Sequence, residues 1–168
     1  MAAEPQKWAL LVGIDRYKSA DIPTLQGAVN DVLLMQEVLI NKFLFPKTNI
    51  KILRNEEATH VRIVQEIRDH LGQAKTDDVV IFHFSGHGSQ MKDISGDETV
   101  DNMDETLVAY DSRSANVFDV SDDEINGLLE ELSQKTKNIT FIFDSCHSGA
   151  AAKAANSVRG IKPDERTP

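Results

Sequence analysis

Four short apolar runs, at 8–14, 49–53, 79–84 and 139–143, constrain this chain more than any other feature of its sequence. Each is bounded by polar residues or by Gly and Pro. Runs of this length without polar alternation suit strands buried on both faces, as in a parallel sheet. The segments between them have helical spacing. Leu25, Ala28, Val29, Val32, Leu33, Gln36, Leu39 and Phe43 recur at steps of three and four residues, with Thr24 as the expected cap. A second helix is expected behind Thr59, with Val61, Val64, Ile67, Leu71 and Ala74 as its apolar stripe. A third is expected over 121–132, where Ser121 and Glu124 have the spacing of a capping box. Strands alternating with helices call for right-handed crossovers. The expected fold is therefore α/β, a three-layer sandwich with a mostly parallel central sheet and helices on both faces.

The stretch 91–120 breaks this rhythm. It is rich in Asp, Ser, Asn and Gly, holds one strand-like run at 106–110, and reads as a long functional excursion with a small hairpin. One domain is expected over 1–150. Residues 151–168, Ala-rich and ending in Lys162-Pro163-Asp164-Glu165-Arg166-Thr167-Pro168, read as a linker or processing segment. No run approaches the ~18–20 apolar residues of a membrane span. The first residues lack the basic and apolar regions of a secretory signal, so a cytoplasmic location with no membrane partner is expected. A net charge of -9 argues against a nucleic-acid-binding surface. Neither a Gly-x-Gly-x-x-Gly turn after the first strand nor a Walker A loop is present. Cys146 is the single cysteine, which excludes an intrachain disulfide and a Cys-rich zinc site.

Sites on open parallel sheets form beyond the carboxyl ends of the strands. The run at 79–84 leads into Ser85-Gly86-His87-Gly88-Ser89, and the run at 139–143 into Asp144-Ser145-Cys146-His147-Ser148-Gly149. If those strands are neighbours, His87 and Cys146 emerge side by side, as a thiol nucleophile and its base must. Gly86 and Gly88 allow a sharp turn and close approach of a substrate chain. The backbone N–H groups of Gly88 and Cys146 are candidate oxyanion donors. His83, inside a strand, reads as a satisfied buried histidine. His147 is expected to point elsewhere, and His60 and His70 receive no role.

The sequences His83-Phe84-Ser85-Gly86-His87-Gly88 and Asp144-Ser145-Cys146-His147-Ser148-Gly149 resemble the paired catalytic motifs of metacaspases and their bacterial relatives, the orthocaspases. Their His and Cys lie about 60 residues apart, against roughly 50 in caspases. Leu11-Val12-Gly13-Ile14, Gly27-Ala28-Val29-Asn30-Asp31-Val32 and Asp104-Glu105-Thr106-Leu107 extend the likeness over roughly residues 7–150. The resemblance implies the caspase-hemoglobinase-like variety of the sandwich and a cysteine endopeptidase working through a Cys146–His87 dyad and a thioester. It also implies a large (p20-like) catalytic part that needs a smaller p10-like C-terminal segment of two more strands, in a monomer. Animal caspases carry Gln-Ala-Cys-Arg-Gly at the nucleophile, whereas Asp144-Ser145 precedes Cys146 here. A carboxylate so close to the nucleophile favours peptide and protein substrates with Arg or Lys before the scissile bond. The resemblance adds Asp31 as a second carboxylate of that pocket, with Ser85 a further candidate. Lys153, Arg159, Lys162 and Arg166 are candidate self-cleavage sites. The rival readings are a non-catalytic interaction scaffold of the same fold, against which retention of both His87 and Cys146 argues, and another Cys–His hydrolase on a related sheet.

Acidic residues crowd the stretch 93–104 and recur at Asp122-Asp123, and clustered oxygens suit calcium. Their order does not fit an EF-hand. The resemblance points to Asp97, Asp122 and Asp123 as calcium ligands. However, the stretch after the cysteine, Ala150-Ala151-Ala152-Lys153-Ala154-Ala155, lacks the carboxylate the family uses there. A solvated loop and an enzyme requiring no cofactor are therefore expected.

Overall fold

The structure, a computed structural model, describes residues 4–92, 103–145 and 159–166. Chain order is β1 (Lys7–Gly13), α1 (Ala28–Asn41), β2 (Ile50–Arg54), α2 (His60–Asp69), β3 (Val79–Ser85), β4 (Gly88–Lys92), β5 (Met103–Leu107), β6 (Val120–Ser121), α3 (Asp122–Ser133) and β7 (Asn138–Asp144). The four apolar runs become β1, β2, β3 and β7, a parallel sheet in the order β2-β1-β3-β7. The excursion folds as a small antiparallel sheet, β4-β5-β6.

Alternation along β1 divides the core into two. Ala9 and Leu11 pack with Val32 and Leu39 of α1. Leu10 and Val12 pack with Ile63 and Ile67 of α2 and with Ile125, Leu128 and Leu132 of α3. One helix covers one face and two cover the other, which gives the expected three layers. Each of these Val, Leu and Ile side chains taken out of water contributes roughly 1.5–3 kcal/mol. At the end of β1 the packing allows only glycine. A Cβ on Gly13 would lie 2.6 Å from Val32 Cγ2 and 2.7 Å from the Ala28 carbonyl oxygen.

From β1 the chain crosses to β2 by α1, then returns past β1 to β3 by α2 on the opposite face. The connections therefore reverse between β1 and β3. The carboxyl ends of those two strands, Gly13 and Ser85, are register partners at the crevice where such sheets hold their sites.

Several local expectations are corrected. Thr24 does not cap the first helix, which starts at Ala28. Its first N–H groups are capped from outside by Asp15, whose carboxylate accepts from Gly27 (2.9 Å), Ala28 (2.8 Å) and Val29 (3.2 Å). The helix ends at Asn41, and Leu44 with φ 56° turns the chain so that Phe43 faces water. In α2, capped by Thr59, Ile63 occupies the buried stripe and Val61 is 71% exposed, because the face is set by packing on β1 and α3. The Ser121 hydroxyl accepts from Glu124 N–H (3.2 Å), but the Glu124 carboxylate pairs with His60 (2.9 Å) and does not close the box. The strand expected at 106–110 is Met103–Leu107. It stops where register with Gly88 ends and the Val108 N–H turns to the His87 carbonyl.

The described part of the tail is docked. Gly160 and Asp164 form parallel bridges to Gly88 and Met91 of β4.

Capping by Asp15 makes a prediction. Asp15→Ala should destabilise the fold by about 1–2 kcal/mol, the cost of a lost helix cap. Thr24→Ala should stay within about 0.5 kcal/mol of wild type. Urea denaturation followed by circular dichroism would measure both.

Candidate active site

The register of β3 on β7 sets Ser85 opposite Asp144. Two residues beyond each lie His87 and Cys146, and adjacent strands are about 4.8 Å apart. Cys146 and His147 fall outside the described residues. His87 is described in full, and it is tied to the connection between β1 and α1 and to the residue that follows β5. Its N–H donates to the Tyr17 hydroxyl oxygen (2.8 Å), and its carbonyl accepts from Val108 N–H (3.0 Å). Ring atom Nε2 lies 2.8 Å from the Pro23 carbonyl oxygen. A carbonyl only accepts, so Nε2 carries the hydrogen and the lone pair resides on Nδ1. That atom is buried and has no hydrogen-bond partner among the described residues. The residue is 2% exposed, and burial pushes its pKa below the ordinary 6.5, which keeps the ring neutral. A neutral imidazole with an unengaged, buried Nδ1 is a competent proton acceptor.

Tyr17 and Pro23 were not singled out from the sequence. The Tyr17 ring stacks on His87 at 5.2 Å between centroids, and its hydroxyl donates to the Ile14 carbonyl (3.3 Å). Burial raises the phenol's pKa, so it remains a neutral donor. Gly86 is needed for room: a Cβ there would meet the Phe84 ring at 2.9 Å and the Tyr17 oxygen at 3.1 Å.

Asp31, Ser85 and Asp144 converge. Asp31 lies in the first turn of α1, Ser85 ends β3 and Asp144 ends β7. The Ser85 hydroxyl donates to Asp31 Oδ2 (3.3 Å). Between them sits the guanidinium of Arg159, paired with the carboxylates of both Asp31 and Asp144. It also donates to Ser85 Oγ (2.6 Å) and to the Asp144 carbonyl (3.0 Å). The Arg159 carbonyl oxygen in turn accepts from Gly88 N–H (2.7 Å). Of the four candidate self-cleavage residues, Arg159 alone among the described residues enters this acidic cluster. Lys162 is exposed, Arg166 pairs with Asp164 (2.6 Å), and Lys153 lies outside the described residues.

Other expected residues go elsewhere. His83 is buried as expected but not satisfied, since its Nδ1 has no hydrogen-bond partner among the described residues. Burial lowers its pKa, with Asp144 and Asp31 opposing. His70 Nε2 lies near the Ala9 (3.1 Å) and Asn49 (3.0 Å) carbonyl oxygens, bracing the sheet. Asp122 and Asp123 sit in the first turn of α3, and Asp97 is outside the described residues. Among the described residues no group of three or more His, Cys, Asp or Glu side chains could hold a metal. No helix among them is long and apolar enough to cross a membrane.

His87 and the carboxylates of Asp31 and Asp144 thus gather at the carboxyl ends of adjacent strands of an α/β sandwich, where open parallel sheets carry their sites. Residues 7–155 match the family model for the metacaspase, peptidase C14 domain, and the chain belongs to that family. It is 35% identical over 149 residues to metacaspase-1 of Schizosaccharomyces pombe, covering 85% of this chain and 34% of that protein. To metacaspase-2 of Arabidopsis thaliana it is 37% identical over 150 residues, covering 86% and 35%. A crystal structure of a Geobacter sulfurreducens protein superposes with a TM-score of 0.68 at 25% identity, over 89% of this chain and 53% of that one. The chain thus spans about a third of the length of the curated relatives it matches.

The buried histidines give the fold a pH signature. His70, His83 and His87 have pKa values lowered by burial, so their contribution to stability is complete above pH 6.5 and is lost as pH falls through their folded values. His60 is raised, chiefly by its hydrogen bond to Glu124, so its contribution is complete below 6.5 and is lost as pH rises through its folded value. NMR titration of Cys146→Ala should find His60 titrating above 6.5 and the other three below it. The urea midpoint should fall between pH 7.5 and 5.5.

Proposed function

We propose that this chain is the catalytic, p20-like part of a cysteine endopeptidase that cleaves after Arg or Lys. The carrying observation is the state of Arg159: its guanidinium is held by Asp31, Ser85 and Asp144 while its carbonyl oxygen accepts from Gly88 N–H beside His87. That is the posture of a residue preceding a scissile bond. In this reading His87 Nδ1 takes the proton of the Cys146 thiol, and the thiolate attacks the carbonyl carbon of the Arg residue. Charge developing on the carbonyl oxygen is met by the N–H groups of Gly88 and Cys146. Protonated His87 then gives its Nδ1 proton to the departing amine, leaving a thioester. Water, deprotonated by His87, attacks the thioester, releasing the carboxylate product and restoring the thiol. The Pro23 carbonyl holds the tautomer throughout and stabilises the imidazolium when it forms.

The self-cleavage site in this reading is the Arg159–Gly160 bond. Each step is an acid–base or nucleophilic one that these side chains perform alone, so we assign no cofactor and no calcium requirement. The p10-like partner is assigned to the edge of β7 that no described strand covers, where Phe143 is 42% exposed. A cytoplasmic monomer acting on peptides and proteins completes the assignment.

Fluorogenic peptides ending in Arg or Lys should be hydrolysed and an Asp peptide not, and Cys146→Ala should abolish the activity. Asp31→Asn should lower kcat/KM for Arg by roughly 10- to 150-fold, the worth of one charged hydrogen bond of about 1.5–3 kcal/mol. Turnover of neither basic peptide by the full chain with its C-terminal partner would favour the scaffold reading.

Self-cleavage is checked by intact mass. The wild-type chain should part after Arg159 while Arg159→Gln and Cys146→Ala stay whole, and a calcium chelator should leave the rate within twofold.

A further inference from the structure

Beyond Arg159 the chain does not leave the site. Ile161 N–H donates to the Gly88 carbonyl (3.0 Å) and Asp164 N–H to the Gln90 carbonyl (2.8 Å), so residues 160–164 run alongside β4 in the parallel sense, bridged to it at both ends. The Ser89 hydroxyl and Arg113 Nη1 both donate to the Lys162 carbonyl, at 2.9 and 2.8 Å. Arg113 is itself fixed by buried Asp119 (3.0 Å). Along this segment Lys162 faces water, but Ile161 is only 9% exposed. It fills an apolar socket made by Ile22 and Val108, with Tyr17 packed against them.

The socket and the catalytic histidine share their walls. Tyr17 stacks on the His87 ring, and the N–H of Val108 binds the His87 carbonyl. Ile22 immediately precedes Pro23, whose carbonyl fixes the His87 tautomer. A side chain seated in the socket therefore presses on the same three elements that hold the base. The distance is also set: with an arginine in the acidic cluster, the second residue after its carbonyl falls on the socket.

We propose that this socket is a specificity subsite for the leaving side of the substrate, selecting a branched aliphatic side chain at the second residue after the scissile bond. The track along β4 supplies affinity through main-chain hydrogen bonds common to every sequence. The socket supplies selection, because an acidic or amide side chain would be stripped of water there without a partner. The proposal rests on the peptidase reading for its catalytic meaning, but its binding component does not.

Two measurements separate them. In the full chain carrying Cys146→Ala, the amides of Gly88, Ile161 and Asp164 should be protected from hydrogen exchange. Ile161→Val should keep that protection, and Ile161→Asp should lose at least tenfold of it without change at the amides of Leu10 and Phe82. With the active chain, internally quenched peptides containing Arg-Gly-Ile or Arg-Gly-Val should be cleaved with kcat/KM at least tenfold above the Arg-Gly-Asp peptide, mostly through KM. Protection that Ile161→Asp leaves intact, or equal cleavage of the three peptides, overturns the socket while leaving the peptidase reading in place. Protection that follows Ile161 with no peptide cleaved supports the socket and overturns the peptidase reading instead.

Discussion

The pairing of β1 with β3 is the constraint on which the rest of this structure depends. It sets Gly13 against Ser85 at the point where the sheet's connections reverse direction. The bare backbone of Gly13 lets the first turn of α1 come down onto the strand end, which carries Asp31 to Ser85. One strand further on, Asp144 arrives by register, with no freedom to choose its height. Three short polar side chains from three elements thus meet at one edge without any of them needing a long reach. Shifting β3 by a single residue would turn Ser85 to the other face and disperse the cluster.

A second consequence is that the His87 ring is oriented by a backbone carbonyl. Among the described residues, no carboxylate bonds the His87 ring. The Pro23 carbonyl does so, while Tyr17 and Val108 clamp the residue's own N–H and C=O. An acidic partner would raise the pKa of the imidazole, whereas a neutral carbonyl fixes the tautomer and lets burial keep the ring uncharged. The cost is close packing around Gly86, where the Phe84 ring and the Tyr17 oxygen leave no room for a methyl group. Glycine beside His87 is therefore explained by volume, in addition to any freedom of the turn.

What was legible in the sequence follows from locality. Continuous apolar runs fix which residues are strands buried on both faces, so the sheet and its layers could be read directly, whereas the adjacency of β3 and β7 stood only as a condition until the register supplied it. Motifs at strand ends carried His87, Gly88 and Asp144 with them, and the family resemblance carried Asp31. Interactions closed over long separations were not legible. The cap of α1 comes from Asp15, twelve residues before Gly27. The partner of the His87 ring is the carbonyl of Pro23, 64 residues earlier, and a carbonyl has no side-chain signature to read. Ile63 displaced Val61 from the buried stripe because the sheet and α3 decide which face is inside, and periodicity alone leaves that choice open. The docking of the tail was missed for the same reason. Its polar, proline-containing sequence reads as linker, and only β4 with the acidic cluster gives it a place.

That docking changes how the acidity of the site should be understood. Two carboxylates and a hydroxyl brought together at a strand end repel one another and lose water, and their convergence is favourable only with a cation between them. In this structure the cation is supplied by the chain itself, already tethered, so it competes at the high effective concentration of an intramolecular ligand. In the proposed reading, a substrate arginine arriving from solution displaces Arg159 together with the segment that follows it, the first anchored by charge and the second by the burial of Ile161 and by hydrogen bonds to β4. Hydrolysis of the Arg159–Gly160 bond would cut between those anchors. Arg159 would then stay on the side of the chain that leads back to Cys146, and Ile161 on the other. Each half would hold its place by its own contacts alone, and the combined hold that keeps the groove closed would be gone. In that reading, the placement that presents Arg159 for cleavage also makes the cleavage the step that opens the site to other substrates.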